Sequence, residues 1–291
     1  MKKNLLIRVK IAVLLFLISF SLKAQIYSDK DVSICKDKFK LAVEKNLENK
    51  PIGDVIVEIG KSFLGTNYVA HGIEKGDKET LVINLTGLDC EAFLENALVF
   101  ARCIKEKKTT FKDYENELTK VRYRNGIIDL YPSRLHYFSD WIYDNEKKGI
   151  VKNISGEIGG DTIRFNVNFM STHPDLYARL KEHPEFIPII ERQEKEINKR
   201  KYYYIPKWMV FKVEKKIHNG DLIAITSNVK GLDINHVGIA VRMDDGRIHF
   251  MHAPDVGYKV QITEIPLADY LMKIKKDTGI MVLRALNPAG L

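Results

Sequence analysis

The sequence predicts an α+β fold, and three features of its 291 residues carry the prediction. Residues 88–104 repeat apolar side chains at helical spacing (Phe93, Leu94, Ala97, Leu98, Ala101), the mark of an amphipathic helix. A helical and aromatic stretch fills the middle of the chain. The last third breaks into short apolar runs, two of them joined by Asp244-Asp245-Gly246, which has the composition of a hairpin turn. Helices first and an antiparallel sheet last make the α+β arrangement.

The other elements follow in order. Residues 31–49 read as a polar helix with Val32, Phe39, Val43 and Leu47 on one face, broken by Pro51-Ile52-Gly53. Helical spacing resumes over 55–64, Gly65-Thr66-Asn67-Tyr68 makes a turn, and residues 81–85 are a strand candidate. From Tyr114 the pattern changes, and residues 122–145 crowd arginines and aromatics without a clean period. Strand-like runs at 163–168 precede a charged helix over 188–200, where Glu191–Lys195 and Glu196–Arg200 are spaced for ion pairing. Strands are expected at 221–226, 236–243, 247–251 and 278–285. With no internal repeat and no low-complexity linker, the reading is one domain over 25–291 with an insertion at about 110–205.

The first 24 residues are set apart. Lys2, Lys3, Arg8 and Lys10 lead into the apolar run IAVLLFLISFSL, and Lys23-Ala24-Gln25 follows. A basic start and an apolar core of roughly 7–15 residues describe a secretory signal peptide, whereas a spanning helix needs roughly 20 apolar residues. Cleavage after Ala24 is expected, and since the first cysteine is Cys35 no lipid anchor is expected. The mature protein is then secreted, into the periplasm, without a stable membrane anchor. Charge changes with cleavage: 46 basic against 38 acidic residues give +8, but residues 1–24 hold five basic and no acidic ones, leaving 41 to 38, or +3. So mild a balance is no nucleic-acid footprint. The three cysteines are Cys35, Cys90 and Cys103, an odd number that leaves at least one thiol unpaired. Cys35 and Cys103 either pair or both stay reduced in the core.

Chemistry concentrates at Cys90. Asp89 and Glu91 flank it, so it does not sit inside an apolar run, and it stands where the helix begins. Unpaired backbone N–H groups there lower a thiol's pKa and hold a developing oxyanion. Cys103, among Phe100, Ala101 and Ile104, reads as core. His236 opens the run HVGIAV, with Gly238 and Ala240 on its face leaving room for a neighbouring helix and its nucleophile. His249 and His252 differ by three positions and leave opposite faces of their strand, so one of them joins the site. His252 is the expected partner that orients the base, and His249 the surface or locally paired residue. A zinc site from Cys90, His236 and His252 is the competing reading, but no CxxC or HExxH spacing supports it. No cofactor or metal is expected.

The segment LVINLTGLDCEAFLENAL, the HVGI strand, the His252-Ala253 strand end, RYRNG at 122–126 and SRLHYFSDWIYDN at 133–145 together carry a resemblance. From about Gly65 to the C-terminus the chain resembles the N-acetylmuramoyl-L-alanine amidase-like branch of the NlpC-type cell-wall cysteine peptidases, which have a papain-like fold. The resemblance implies Cys90 as nucleophile, His236 as general base and His252 as the orienting residue, with Tyr68 matching a tyrosine in the turn near the cysteine. It implies a peptidoglycan fragment (a muropeptide) as substrate, cut at the lactyl amide between muramic acid and L-alanine, the muramic acid in intact or anhydro form. A D-glutamyl–diamino acid endopeptidase and a catalytically silent wall-binding module are the alternatives. The chain departs from the pattern at Glu91-Ala92, where a small residue usually follows the cysteine, and at Ala70-His71-Gly72, where a glycine pair is usual. Within the arginine-aromatic block, Arg122, Arg134, His136 and Asp140 are candidates to line the groove, since arginine grips carboxylates bidentately. Internal ion pairing is the other reading of the same residues.

Overall fold

The computed structural model describes residues 25–288, and the expected leader at 1–24 lies outside them. Helix α1 (Asp29–Glu44) starts at a reciprocal cap in which Ser28 accepts from the Asp31 amide while the Asp31 carboxylate accepts from Ser28. Pro51 then fixes the entry to α2 (Ile52–Lys61). Helix α3 (Cys90–Lys105) is capped by Asp89, whose carboxylate accepts from the Ala92 amide at 2.8 Å, a contribution of about 1 kcal/mol. α4 (Phe111–Arg122) opens on a second reciprocal cap, Thr110 with Asp113, and α5 (Phe138–Lys147) follows.

Every residue of α3 from Ala92 to Ile104 is buried, which makes it the axis of the helical layer. Its inward polar groups are all partnered, as burial demands. Glu95 accepts from Arg122 Nε at 2.7 Å and Trp141 Nε1 at 3.1 Å, Asn96 from the Tyr114 hydroxyl, and Arg102 pairs with Glu117. α2 and α4 pack along α3.

Among the described residues eight strands form one sheet: β1 (Val151–Asn153), β2 (Asp161–Ile163), β3 (Tyr202–Pro206), β4 (Leu222–Ser227), β5 (Ile234–Arg242), β6 (Ile248–His252), β7 (Gln261–Ile262) and β8 (Asp277–Ala285). Their order is β2-β3-β8-β4-β5-β6-β7, with β1 also on β8, and all pairs are antiparallel. One face of the sheet carries Leu222, Ala224, Val237, Ile239, Val241 and Met251 into the core shared with α3. The other carries Ile223, Ile225, Ala240, Phe250 and Ile280 against a short helix, Leu267–Lys273. Among the described residues no helix is long and apolar enough to cross a membrane.

Several expectations change. Residues 81–85 are not a strand: Val82 makes a single bridge to Ile26, and the Leu85 amide is held by the buried Asp31 carboxylate at 2.7 Å. The expected run at 163–168 shrinks to β2. The charged helix is Ile187–Lys199; Glu191 pairs with Lys195 at 2.8 Å, but Glu196 takes Lys199, because Arg200 turns inward to Asp140. Residues 110–205, read as an insertion, supply α4 beside α3 and β1 and β3 beside β8. Cys35, Cys90 and Cys103 are all free thiols, with Cys35 and Cys103 buried.

Candidate active site

Two pieces of local structure bring Cys90 to its place. Asn67 bridges Gly87 in parallel, the Leu88 amide donates to Asn67 O at 3.0 Å and the Val69 amide to Leu88 O at 3.3 Å. This lays residues 67–69 along the approach to α3 and sets Tyr68 beside Cys90. Gly87 is needed there, since a Cβ would stand 2.4 Å from the Val69 side chain. Cys90 itself is half-buried, the first residue of α3, and its sulfur accepts from the amides of Val237 and Glu91.

The Val237 contact joins the helix start to the histidines. β5 is bulged, with Ile225 opposite His236 but Thr226 opposite Ile234, so Asn235 is the extra residue. Asn235 is fixed by a 2.9 Å bond to Asp277. β6 pairs with β5 without a shift, Ile239 opposite Met251 and Arg242 opposite Ile248. His236 and His252 are therefore diagonal neighbours on one face, and His236 Nε2 lies 2.7 Å from His252 Nδ1. Phe250 contacts both rings, edge-on to His236 at 5.7 Å and tilted against His252 at 4.7 Å, and Tyr270 meets His252 edge-on at 5.7 Å.

Here the reason for Gly238 differs from the expected one. A Cβ at Gly238 would lie 2.6 Å from the Phe250 ring and 2.5 Å from Met251 O. Gly238 and Ala240 thus make room for Phe250 and the helix Leu267–Lys273, while α3 packs on the opposite face. His249 is locally paired as expected: its ring nitrogens contact Thr263 O at 2.7 Å and Asp245 at 3.0 Å, away from His252.

At rest the thiol and both imidazoles are uncharged. Burial, followed by the charges of Asp89 and Glu91, pushes the Cys90 thiol well above its ordinary value, outweighing the Val237 and Glu91 amides. The pKa lowering expected at a helix start is outweighed here by burial of the sulfur and then by the two carboxylates beside it. Burial also pulls His236 down to about 4, against the pull of Asp255, and His252 to about 3. Tyr68 is raised to about 12 by burial, then by Cys90 and nearby carboxylates, so its hydroxyl is a donor at neutral pH. One proton bridges the two imidazoles. If His236 Nε2–H donates, His236 Nδ1 is a base and the His252 proton sits on Nε2, a buried atom without a hydrogen-bond partner among the described residues.

A cleft of about 310 Å³ opens beside Cys90, lined among others by Tyr68, His71, Glu74, Glu91, Arg134 and His136. A smaller pocket continues it past Tyr177 and Asp233. His136 Nε2 lies 2.9 Å from Tyr131 O and so donates, and burial with the Arg134 charge keeps the ring neutral, leaving Nδ1 an acceptor. Arg134 lines the cleft but is held by Glu74 at 3.0 Å and Glu79 at 3.5 Å. Arg122 touches the cleft wall while its side chain is spent on Glu95 and Val82 O, and it is 3% exposed. Asp140 lines neither pocket: Arg124 at 2.6 Å and Arg200 at 2.5 Å hold it inside. The cleft therefore gathers Cys90, Tyr68, Arg134 and His136; His236 and His252 pair with each other on the sheet and reach Cys90 through the Val237 amide beside His236, and Asp140 belongs to the framework. Glu74, Glu91, Tyr177 and Asp233 were not anticipated there. Glu91 had a signal, its place next to Cys90; Tyr177 and Asp233 come from distant loops and had none. Among the described residues no three His, Cys, Asp or Glu side chains converge to hold a metal ion.

Known proteins share this fold. A crystal structure of a N-acetylmuramoyl-L-alanine amidase from Bacteroides uniformis is 34% identical and superposes with a TM-score of 0.76, over 81% of this chain and 99% of that one. A Bacteroides fragilis protein described as a xylanase is 38% identical, with a TM-score of 0.72, over 77% of this chain and 98% of that one. A Legionella pneumophila protein at 22% identity and a TM-score of 0.66, over 89% of this chain and 96% of that one, shares the fold. No curated protein matches significantly. Residues 58–280 match the AmiA-like family model, described as N-acetylmuramoyl-L-alanine amidase-like. By that match, and by its similarity to the Bacteroides uniformis amidase over nearly all of that protein's length, the chain belongs to the N-acetylmuramoyl-L-alanine amidase-like family.

Proposed function

We propose that this chain is a secreted, papain-like (NlpC-type) cysteine amidase that cleaves the bond between N-acetylmuramic acid and L-alanine in muropeptides. The observation that carries the reading is the 2.7 Å His236–His252 contact next to a strand amide directed at the Cys90 sulfur. In the free protein thiol and imidazole are both neutral, so the thiol proton moves as the sulfur attacks. Cys90 Sγ adds to the lactyl carbonyl while His236 Nδ1 takes the proton, and His252 Nδ1 accepts from His236 Nε2–H to fix the tautomer. The oxyanion is met by backbone N–H at the start of α3 and by the Tyr68 hydroxyl. The His236 imidazolium then protonates the departing alanine nitrogen. Water, deprotonated by His236, cleaves the thioester and releases the muramic acid carboxylate and free thiol.

The basic, apolar start of the chain and its Ala24 cleavage site support export. Mass analysis of muropeptides after digestion tests the reading: free L-alanine-terminated stem peptides and peptide-free muramic sugars are the expected products. Peptides cut after D-glutamate would move the bond, and intact fragments that co-purify with the protein would make it a binding module. Sugars released from xylan by the Cys90→Ala variant would instead favour a glycosidase using the cleft carboxyls of Glu91 and Asp233.

A further inference from the structure

The helical run at 207–216 is apolar on two sides. Its inner face, Val210 and Val213 with Glu214, is buried against the sheet, as an amphipathic element requires. Its outer face should be polar, yet Trp208 and Phe211, three positions apart, are 63% and 64% exposed. Each aromatic has a cation over its ring: Lys212 Nζ is 6.0 Å from the Trp208 centroid and the Arg247 guanidinium 4.9 Å from that of Phe211. Lys207 Nζ bonds Ile274 O at 3.2 Å, which ties this run to the helix Leu267–Lys273, where Met272 is 57% exposed and Lys273 also faces out. The acidic neighbour Asp269 is turned to Arg247 at 3.7 Å. The result is an exposed apolar patch flanked by Lys212 and Lys273.

We propose that this surface seats the protein on anionic phospholipid headgroups, with Trp208, Phe211 and Met272 entering the interface and the lysines meeting the phosphates. Three apolar side chains standing out from neighbouring turns suit a surface that closes around them. The charge selects the partner: lysines flank the patch, and long cationic side chains reach headgroups while their stems cover apolar surface. The inference is independent of the amidase reading.

The chain has two tryptophans, and Trp141 is 2% exposed, so a change in emission on binding reports Trp208. Full-length mature protein is mixed with phosphatidylglycerol/phosphatidylethanolamine vesicles or with phosphatidylcholine vesicles, and emission and co-sedimentation are followed. A blue shift and pelleting with the anionic vesicles alone, weakening as salt is added, are expected. The Trp208→Ser/Phe211→Ser double variant should pellet about tenfold more weakly, as loss of buried aromatic area requires, with its melting temperature and its turnover of soluble fragments unchanged. Lys212→Glu/Lys273→Glu keeps the fluorophore and should lose the anionic preference. Absence of a blue shift on anionic vesicles, equal binding to neutral ones, or patch variants that pellet like the wild type would overturn the proposal. A Trp208 blue shift that follows protein concentration without vesicles would overturn it in favour of a second copy.

Discussion

His236 Nε2 and His252 Nδ1 lie 2.7 Å apart across neighbouring antiparallel strands, while His249, three residues before His252, is held by Thr263 and Asp245. Strand alternation made that division, and it survives because β6 pairs without a bulge. His252→Ala should therefore lower kcat by about 10–100-fold with little change in KM, since it acts through the alignment of His236. His249→Ala should keep near-normal turnover and lose about 1 kcal/mol of stability with its hydrogen bonds. Steady-state kinetics and denaturation of the two variants check this, and a large kcat loss confined to His249 would reverse the assignment.

The acid limb of kcat/KM should fall near pH 4, where His236 takes its proton, not near the ordinary histidine value of about 6.5. Asp255 raises His236, so Asp255→Asn should move the limb lower still. Stability follows the same sign. A histidine depressed on folding binds its proton first in the unfolded chain, so its contribution is complete above about pH 6.5 and is lost as the pH falls towards about 4. Rate profiles and urea melts across that window check both, and a limb at about 6.5 would contradict them.

Cys90 should be a slow thiol at rest. Alkylation by iodoacetamide at neutral pH should be slower than that of a free cysteine and should rise as the pH climbs, because burial with Asp89 and Glu91 holds the proton on sulfur. Peptide mapping after timed labelling checks it, with buried Cys35 and Cys103 as internal references. Labelling faster than free cysteine at neutral pH would mean a pre-formed thiolate.

Gly238→Ala should cost more activity than a surface alanine, because the new methyl would push the Phe250 ring that supports both imidazoles. A destabilisation of about 1–3 kcal/mol and a fall in kcat are expected, measured by melting and kinetics. Retained stability and turnover would show that Phe250 has no part in positioning them.

Much of this was legible in the sequence, where local physics decides. The apolar spacing of α3, the Asp244-Asp245-Gly246 turn and strand alternation at His236 and His252 are properties of a few adjacent residues. Residues 81–85 misled because their apolar side chains are buried while the backbone makes only a single bridge, Val82 to Ile26. Helix α4 was overlooked although Thr110 and Asp113 spell its cap. Arg122 and Asp140 look alike in sequence to groove residues, and only their distant partners Glu95 and Arg200 tie them to the framework. The raised thiol was out of reach for the same reason, since it depends on the burial of the Cys90 sulfur against distant segments as well as on its neighbours Asp89 and Glu91.

Cleavage through a covalent thioester on Cys90 is the claim on which the mechanism rests. Protein mixed with N-acetylmuramoyl-L-alanine peptides, quenched in acid within the first turnovers and digested for mass spectrometry, tests it directly. The expected result is an N-acetylmuramoyl adduct on the peptide carrying Cys90, absent from a Cys90→Ala variant that has also lost activity. Undiminished release of alanine-terminated peptide by Cys90→Ala, with no adduct on the wild type, would contradict it.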